Sequence, residues 1–275
     1  MFSHVRAVGK VLGATFLAVT VIPAQLYVAG PVFKDRETLP NFFWGALRKI
    51  FGIKVDFNKA SLVSDKPMLY MANHYSVLDP LILASVTKKS GFVAMKEIKN
   101  WPLMGKFASD IGTVFASNNR SRDELPEIHA QLTKQLNEGR SITFCPEGVI
   151  LDGKNIAPFK TGVISIGFNN LSENTQLETE IGYQPLALEI TEINGRKTSE
   201  DESLKKIFIL DKTRPALAQI WNMLRVSSVK SEITALPSME ACEFESPADL
   251  AVESRRRVLE NLKEKQNEKN GRFYN

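Results

Sequence analysis

From Val11 to Phe33 no side chain carries a charge, a run of 23 positions. Wound as a helix at 1.5 Å per residue, such a run is roughly 35 Å long, enough to cross a bilayer or to lie in one leaflet. Pro23, Gly30 and Pro31 interrupt it. A single span and a broken or re-entrant helix pair are therefore both compatible with the pattern. Next comes Asn41-Phe-Phe-Trp-Gly-Ala-Leu-Arg-Lys-Ile-Phe-Gly52, amphipathic at helical spacing, with Trp44 and Arg48/Lys49 suited to a membrane interface. A secretory signal peptide is the competing reading, with Arg6 and Lys10 as its basic start and Val28-Ala29-Gly30 as a cleavage site. The amphipathic stretch that follows favours continued membrane attachment.

Beyond Ile53 the pattern changes to short apolar runs alternating with helical stretches. Strands are expected at Met68–Ala72, Phe92–Met95, Thr113–Phe115, Ile142–Cys145, Gln184–Leu188, Ile207–Leu210 and Glu232–Leu236. Helices are expected at Leu81–Lys88, Leu103–Asp110, Asp123–Glu138, Lys160–Asn169 and Pro215–Leu224. Alternation of this kind predicts an α/β fold, with a mostly parallel central sheet covered by helices on both faces. Residues 53–275 would form that domain, after a membrane-associated helical segment at 1–52. Gly139 is placed as a left-handed helix stop. Ser246-Pro247-Ala248-Asp249 has the form of a capping box opening a helix that runs to about Lys265, with Arg255–Arg257 on its solvated face. Thr191–Glu202 is polar and is expected to be a surface loop.

Composition narrows the chemistry. With 43% hydrophobic and 24% charged residues the chain is of ordinary globular make-up. Two cysteines are too few for a disulfide scaffold, and three histidines without paired C-x-x-C or H-E-x-x-H spacing predict no metal site. The net charge of +4 is uneven: residues 1–54 carry +5 and the remainder about −1. Basic residues bracketing an apolar run point to anionic lipid headgroups rather than to nucleic acid.

The most informative segment is Met71-Ala-Asn73-His74-Tyr75-Ser76-Val77-Leu78-Asp79-Pro80. An apolar strand ends and His74 follows at once, at the strand-to-helix turn where open α/β sheets bind ligands. Positions five apart on an α-helix are displaced by about 140°, so His74 and Asp79 meet only if the residues between them form a turn. Pro80 favours that turn, with Asp79 as N-cap. Read alone, Asp79 is equally well a plain helix cap and His74 a hydrogen-bonded strand-end histidine. If they meet, the carboxylate fixes one imidazole nitrogen and leaves the other as general base for a hydroxyl.

A second strand ends at Ile142-Thr-Phe-Cys145-Pro-Glu147-Gly148, which puts Glu147 in a polar turn at the same sheet edge. There it either bonds a substrate headgroup or anchors a loop. Cys145 suggests a Cys–His nucleophile, but a strand cysteine more commonly serves as a small buried hydrophobe. No Gly-x-Ser-x-Gly elbow is present, which speaks against a serine hydrolase.

Together, Asn-His-x-x-x-x-Asp-Pro and Phe-x-Pro-Glu-Gly, about seventy residues apart, resemble the 1-acylglycerol-3-phosphate acyltransferase superfamily, the lysophospholipid acyltransferases. The resemblance runs from about Phe51 to Leu262, with four blocks in order. It implies that His74 is the catalytic base and Asp79 its partner. Gly91-Phe-Val-Ala-Met-Lys96 with Trp101-Pro-Leu-Met-Gly105 matches the second block, in which Lys96 would stabilise the thioester oxyanion. Glu147 and Gly148 match the block that contacts the acceptor headgroup, and Pro185 the block at the acyl end of the site. The family also implies a membrane-associated N-terminal section, a lysolipid acceptor, acyl-CoA or acyl carrier protein as donor, and no cofactor, with the catalytic domain on the cytoplasmic side.

Two departures bear on the acceptor. The family's arginine after the Thr-Val-Phe-like strand is replaced by Ala116-Ser-Asn-Asn119, so the phosphate contact falls to Arg120 or Arg122. Val149-Ile150 follows Glu147-Gly148 where a hydroxyl and a polar neighbour are usual. That brings lyso-ornithine lipid and other lysolipids into competition with 1-acylglycerol-3-phosphate, and leaves a non-catalytic lipid-binding relative as the alternative of a different class.

Overall fold

The computed structural model describes residues 2–34, 37–117, 122–151, 155–168, 176–209, 211 and 213–271. Its sheet has the order β1-β8-β6-β2-β5-β3-β4, with strands β1 (Ile53–Phe57), β2 (Met68–Ala72), β3 (Ser90–Met95), β4 (Val114–Ala116), β5 (Ser141–Phe144), β6 (Gly182–Ile193) and β8 (Val229–Ala235). The short β7 (Arg196–Lys197) pairs with β6. From β6 through β4 every neighbour is parallel, and β8 joins β6 antiparallel with β1 parallel beside it. Central β2 is buried at all five positions, as a strand covered on both faces must be.

One face is covered by α6 (Leu125–Asn137) and α8 (Pro247–Gly271). Ile128, Leu132 and Leu136 of α6 and Leu250, Ala251 and Val258 of α8 pack with Leu69, Met71, Ile142 and Phe144. Each fully buried Leu or Ile contributes about 1.5–3 kcal/mol. The other face is covered by α4 (Asp79–Leu83), by α7 (Ala216–Arg225) and by α3 (Thr38–Phe51), which delivers Trp44 and Leu47 against Ile53, Tyr70 and Leu186.

The N-terminal run is helical throughout: α1 (Phe2–Ala24), a π-helical turn at Gln25–Ala29 and α2 (Gly30–Phe33). Pro23 sits inside α1, and the π turn follows it directly. This helix lies along the domain. Leu17, Val21 and Ile22 share a core with Phe43 of α3 and with Phe107 and Ile111 at α5 (Met104–Asp110). Lys10 is buried, its ammonium donating to the carbonyls of Phe51 (2.8 Å) and Val226 (2.7 Å). Arg6 donates to the Arg225 carbonyl at 3.1 Å. These carbonyls end α3 and α7, where helix dipoles favour cations. Further along, Gln25 donates to the Asp110 carboxylate at 2.8 Å. The opposite stripe of α1 shows Phe2, Val5, Leu12, Phe16 and Val19 to the outside.

Of the expected strand at Ile207–Leu210, Ile207 and Phe208 instead close a 3₁₀ segment, Glu202–Phe208, and Leu210 lies outside the described residues. Leu204 and Phe208 both fill the core, while the Asp201 carboxylate accepts from the Ser203 amide at 3.0 Å as its cap. The helix expected at Lys160–Asn169 is, in its described part, only a 3₁₀ turn at Ile164–Gly167. Tertiary bonds take over its backbone. Lys160 N–H donates to the Pro146 carbonyl (3.0 Å), and the Tyr183 hydroxyl accepts from Gly167 N–H (3.1 Å) and donates to the Ile164 carbonyl (2.8 Å). Within the expected Thr191–Glu202 loop, β6 continues to Ile193 and turns back at Asn194-Gly195, both with positive φ (53° and 76°). The first strand, β1, was not anticipated: Lys54 and Asp56 punctuate it because it is an edge.

Candidate active site

Strands β2 and β5 are adjacent and parallel, with Met71 paired to Phe144, so the turns that follow them lie side by side at one edge of the sheet. The first turn holds Asn73, His74 and Ser76, the second Cys145, Glu147 and Gly148. Asn73 locks the first turn to β6: its side-chain oxygen accepts from Leu188 N–H (2.7 Å) and its amide donates to the Leu188 carbonyl (3.0 Å).

His74 and Asp79 meet. Nδ1 of His74 lies 2.7 Å from Oδ2 of Asp79, and since a carboxylate has no proton to give, Nδ1–H is the donor. Asp79 is the first residue of α4, one position later than the N-cap expected for it, and its carboxylate points back into the preceding turn. Oδ2 also accepts from the amides of Tyr75 (2.6 Å) and Ser76 (2.9 Å), and Oδ1 from the Ser76 hydroxyl (2.6 Å). Asp79 is 0% exposed, whereas the His74 side chain is 23% exposed. The imidazole therefore has one nitrogen held by a buried carboxylate. Its Nε2 has no hydrogen-bond partner among the described residues.

Every amide of the turn is engaged. His74 N–H donates to Glu147 Oε1 (2.6 Å), Tyr75 and Ser76 to Asp79, Val77 to the Phe208 carbonyl (3.1 Å) and Leu78 to the Ser76 hydroxyl (3.1 Å). The turn is rigid for that reason, and none of these amides is left for an oxyanion.

Glu147 is 1% exposed. Its second oxygen accepts from Ala157 N–H at 2.6 Å, so one carboxylate ties the His74 turn to the 155–158 segment, the geometry of a loop anchor. Burial raises its pKa, and the two amide bonds and His74 pull the other way. Gly148 has φ +67°, and its N–H closes a turn on the Cys145 carbonyl at 3.1 Å. From the far side Arg255 reaches in, donating to the carbonyls of Ile156 (2.6 Å) and Ala157 (3.1 Å). Of the three arginines expected on a solvated face, Arg256 and Arg257 pair with Glu253 while Arg255 braces the active-site loop.

Burial and the charges of Asp79 and Glu147 push the Cys145 thiol well above its usual range. A neutral thiol is a poor nucleophile. Its sulfur and the His74 and Asp79 donor atoms all lie within 4.8 Å of one another, but both Asp79 oxygens are committed to hydrogen bonds.

The remaining site residues stand apart. Lys96 follows β3, two strands from β2 at the same sheet edge, and its ammonium is 3.2 Å from Glu124 Oε1. Gly105 lets the 101–105 turn close, since a Cβ there would lie 2.0 Å from the Lys99 carbonyl oxygen. Pro185 is buried in β6 opposite Met71, inside the sheet rather than at its edge. Arg120 lies outside the described residues, and only the backbone of Arg122 is described. Sequence reasoning missed Asn73, Ser76 and Arg255 as positioning groups. The first two stood within the quoted motif, while Arg255 carried no local signal.

Comparison with known proteins falls on these same segments. Residues 53–169 match the family model named Acyltransferase. The chain is 28% identical to the lyso-ornithine lipid O-acyltransferase of Brucella abortus over 195 residues, 71% of either chain. It is 38% identical to the 1-acyl-sn-glycerol-3-phosphate acyltransferase of Neisseria gonorrhoeae over 96 residues, 35% of this chain and 37% of that enzyme. Its fold is that of the 1-acyl-sn-glycerophosphate (LPA) acyltransferase PlsC from Thermotoga maritima, with a TM-score of 0.59 at 16% identity, covering 94% of this chain and 97% of that one. The ordered blocks, the paired His74 and Asp79 and these relatives together support the lysophospholipid acyltransferase superfamily, and O-acyl transfer, for this chain.

Proposed function

We propose that the chain moves a fatty acyl group from an acyl thioester to the free hydroxyl of a lysolipid, most simply 1-acylglycerol-3-phosphate, at a membrane surface. The observation that carries this reading is the His74 Nδ1 to Asp79 Oδ2 bond, in a side chain that is part-exposed and whose Nε2 has no hydrogen-bond partner among the described residues. Asp79 fixes the tautomer and stabilises the imidazolium, and Nε2 takes the proton as the acceptor oxygen attacks the thioester carbonyl. The tetrahedral intermediate then collapses, and the thiol carrier leaves with the proton returned through His74. With the amides of the His74 turn all engaged, Lys96 is the cation at this sheet edge suited to the oxyanion. Glu147, Gly148 and Pro185 shape the site, and an arginine at 120 or 122 serves the acceptor phosphate.

The surroundings suit a lipid. Met95, at the end of β3, and Trp101, Leu103, Val149 and Leu151, in the segments that follow β3 and β5, are exposed apolar side chains. We place the outer stripe of α1 in a single leaflet, because its inner stripe is packed along the domain, and the catalytic domain on the cytoplasmic side. Lyso-ornithine lipid is the second acceptor reading, favoured by the longer alignment with the Brucella enzyme and by Val149-Ile150.

The test is release of thiol from acyl-CoA or acyl carrier protein by the full chain in detergent, with each lysolipid supplied in turn. His74→Ala should lower kcat by about 10²–10⁴ without loss of folded protein. Retained turnover in that variant would refute the base assignment. Turnover with lyso-ornithine lipid alone would reassign the acceptor.

A further inference from the structure

Strands β2, β5 and β3 run parallel, so the chain that leaves β3 emerges at the sheet edge that carries His74. There it turns two large apolar side chains outward: Trp101 is 57% exposed and Leu103 41%. Looseness does not explain this. Trp101 N–H donates to the Ile98 carbonyl (3.0 Å), Gly105 N–H to the Trp101 carbonyl (2.9 Å) and Phe107 N–H to the Leu103 carbonyl (2.9 Å). Met104 N–H donates to the Pro102 carbonyl at 2.6 Å, closing a γ-turn centred on Leu103 at φ +60°, ψ −48°. That hand of γ-turn is rare and strained for an L residue. Four residues ahead of fully buried Phe107, a helical Leu103 would lie over the core-facing side of α5. The strained turn takes it off that line and leaves it outside. Strain maintained to present an apolar side chain to the surroundings marks a contact surface.

The frame on which the turn sits selects the partner. Met104, Phe107 and Ile111 pack with Leu17, Val21 and Ile22 of α1, and Asp110 accepts from Gln25 of the π turn. The 101–103 turn is thus fixed to the same helix whose outer stripe is proposed to lie in a leaflet. Residues 96–106 hold three lysines, Lys96, Lys99 and Lys106, against one acid, Glu97. Lys99 and Lys106 are exposed and have no ion pair among the described residues. Tryptophan and leucine between lysines suit the boundary of acyl chains and anionic headgroups, where an aromatic ring sits at headgroup level and each cation adds attraction.

We infer that the 101–103 turn is a second membrane contact, inserting Trp101 and Leu103 into the headgroup–acyl boundary of an anionic leaflet beside the His74 edge. The inference rests on the seating of α1 in that leaflet. With α1 alone the domain could rock about one helix. With the turn as a second point of attachment, the sheet edge that carries His74 is held against the surface from which the lysolipid comes.

Tryptophan quenching on the full chain tests this, with vesicles of phosphatidylcholine and one-fifth phosphatidylglycerol whose acyl chains carry bromine near the headgroup. The chain has three tryptophans, so the signal of Trp101 is the wild-type emission less that of Trp101→Phe. On binding, that difference should shift to the blue and fall about two-fold or more, as for a ring at the interface. Trp101→Ser/Leu103→Gly should bind these vesicles about ten-fold more weakly or worse. Its Tm should stay near that of the wild type, since glycine accepts the backbone conformation of position 103. Lys99→Ala/Lys106→Ala should weaken binding to these vesicles and leave binding to phosphatidylcholine alone unchanged. A bound chain whose Trp101 emission neither shifts nor is quenched overturns the inference while leaving the seating of α1 intact. A wild type that binds no vesicles overturns both. Undiminished binding by either double variant also overturns the inference. So does an unquenched Trp101 with KM raised for acyl carrier protein but not for acyl-CoA in Trp101→Ser/Leu103→Gly, which would assign the turn to the carrier protein.

Discussion

Replacing Asp79 by Asn separates what the carboxylate does for the fold from what it does for the reaction. Its oxygens accept four hydrogen bonds: Oδ2 from His74 Nδ1–H, Tyr75 N–H and Ser76 N–H, Oδ1 from the Ser76 hydroxyl. An asparagine with its oxygen at the Oδ2 position keeps the first three, and its NH₂ can donate to the Ser76 oxygen, so the turn survives. Bonds to a charged group contribute about 1 kcal/mol more than neutral ones, and burying a carboxylate carries a desolvation cost that the amide avoids. The net loss of stability should be about 1–3 kcal/mol, a few degrees in Tm. Alanine leaves the buried Tyr75 and Ser76 amides without acceptors and should cost several kcal/mol more. The reaction is less forgiving. An amide does not stabilise an imidazolium 2.7 Å away, so kcat should fall by about 10²–10⁴, or about 3–5 kcal/mol of barrier. Initial rates of thiol release, read beside a thermal melt of the same sample, give both quantities. An Asp79→Asn protein that melts normally and keeps more than a tenth of wild-type kcat would refute the tautomer-fixing role. One that fails to fold would show that the charge is structural.

Other consequences follow from the same geometry. Glu147 has a pKa raised above the ordinary 4.5 by burial. The native state thus binds its proton more tightly than the unfolded chain, and stability falls as pH rises from the ordinary value through the raised one. Urea melts of wild type and Glu147→Gln across that window should show the wild type losing ground to the variant; a constant difference would contradict the burial argument. Arg255→Ala releases the carbonyls of Ile156 and Ala157, and through Glu147 loosens the His74 turn. It should lower kcat about ten-fold or more with KM for the donor little changed, and Arg255→Lys should recover part of the loss. Cys145→Ala should retain kcat within about three-fold, because a thiol held neutral serves neither as nucleophile nor as base; abolished turnover with a normal melt would reinstate the thiol route.

How much of the site was legible in the sequence depends on which bonds are local. The turn from Asn73 to Pro80 is local, and most of its bonds fall within five residues, so the motif with Pro80 offers the meeting of His74 and Asp79 as one of two readings, the other being a plain helix cap. The direction in which Asp79 caps is less legible. An acid before proline reads as a helix N-cap, but the carboxylate turns back to the amides of Tyr75 and Ser76. Glu147 and Arg255 act across 73 and 98 or more residues, and nothing near either one in sequence announces its partner. The fold divides in the same way. β2, buried at every position, reads as an apolar run, whereas edge strand β1 is punctuated by charge. The Lys160–Asn169 pattern failed because tertiary acceptors, Tyr183 and Pro146, replaced the helical ladder that its periodicity predicts.

The N-terminal run sets the harder lesson, because composition alone describes a membrane span. Lys10 and Gln25 decide how the helix sits. Each is a polar side chain on the inner stripe of an otherwise apolar helix, and each finds its partner on the catalytic domain: helix-end carbonyls for Lys10, the Asp110 carboxylate for Gln25. A spanning helix would leave Gln25 unpaired in hydrocarbon, at several kcal/mol, and would carry Lys10 to the headgroups, away from these carbonyls. The helix therefore gains more by lying along the domain. Through α3, which packs against α1 on one side and the sheet beneath β2 on the other, membrane attachment and the His74 turn share a continuous packed core. On the proposed seating of the outer stripe in one leaflet, that core would set the depth and orientation at which His74 meets the acceptor hydroxyl.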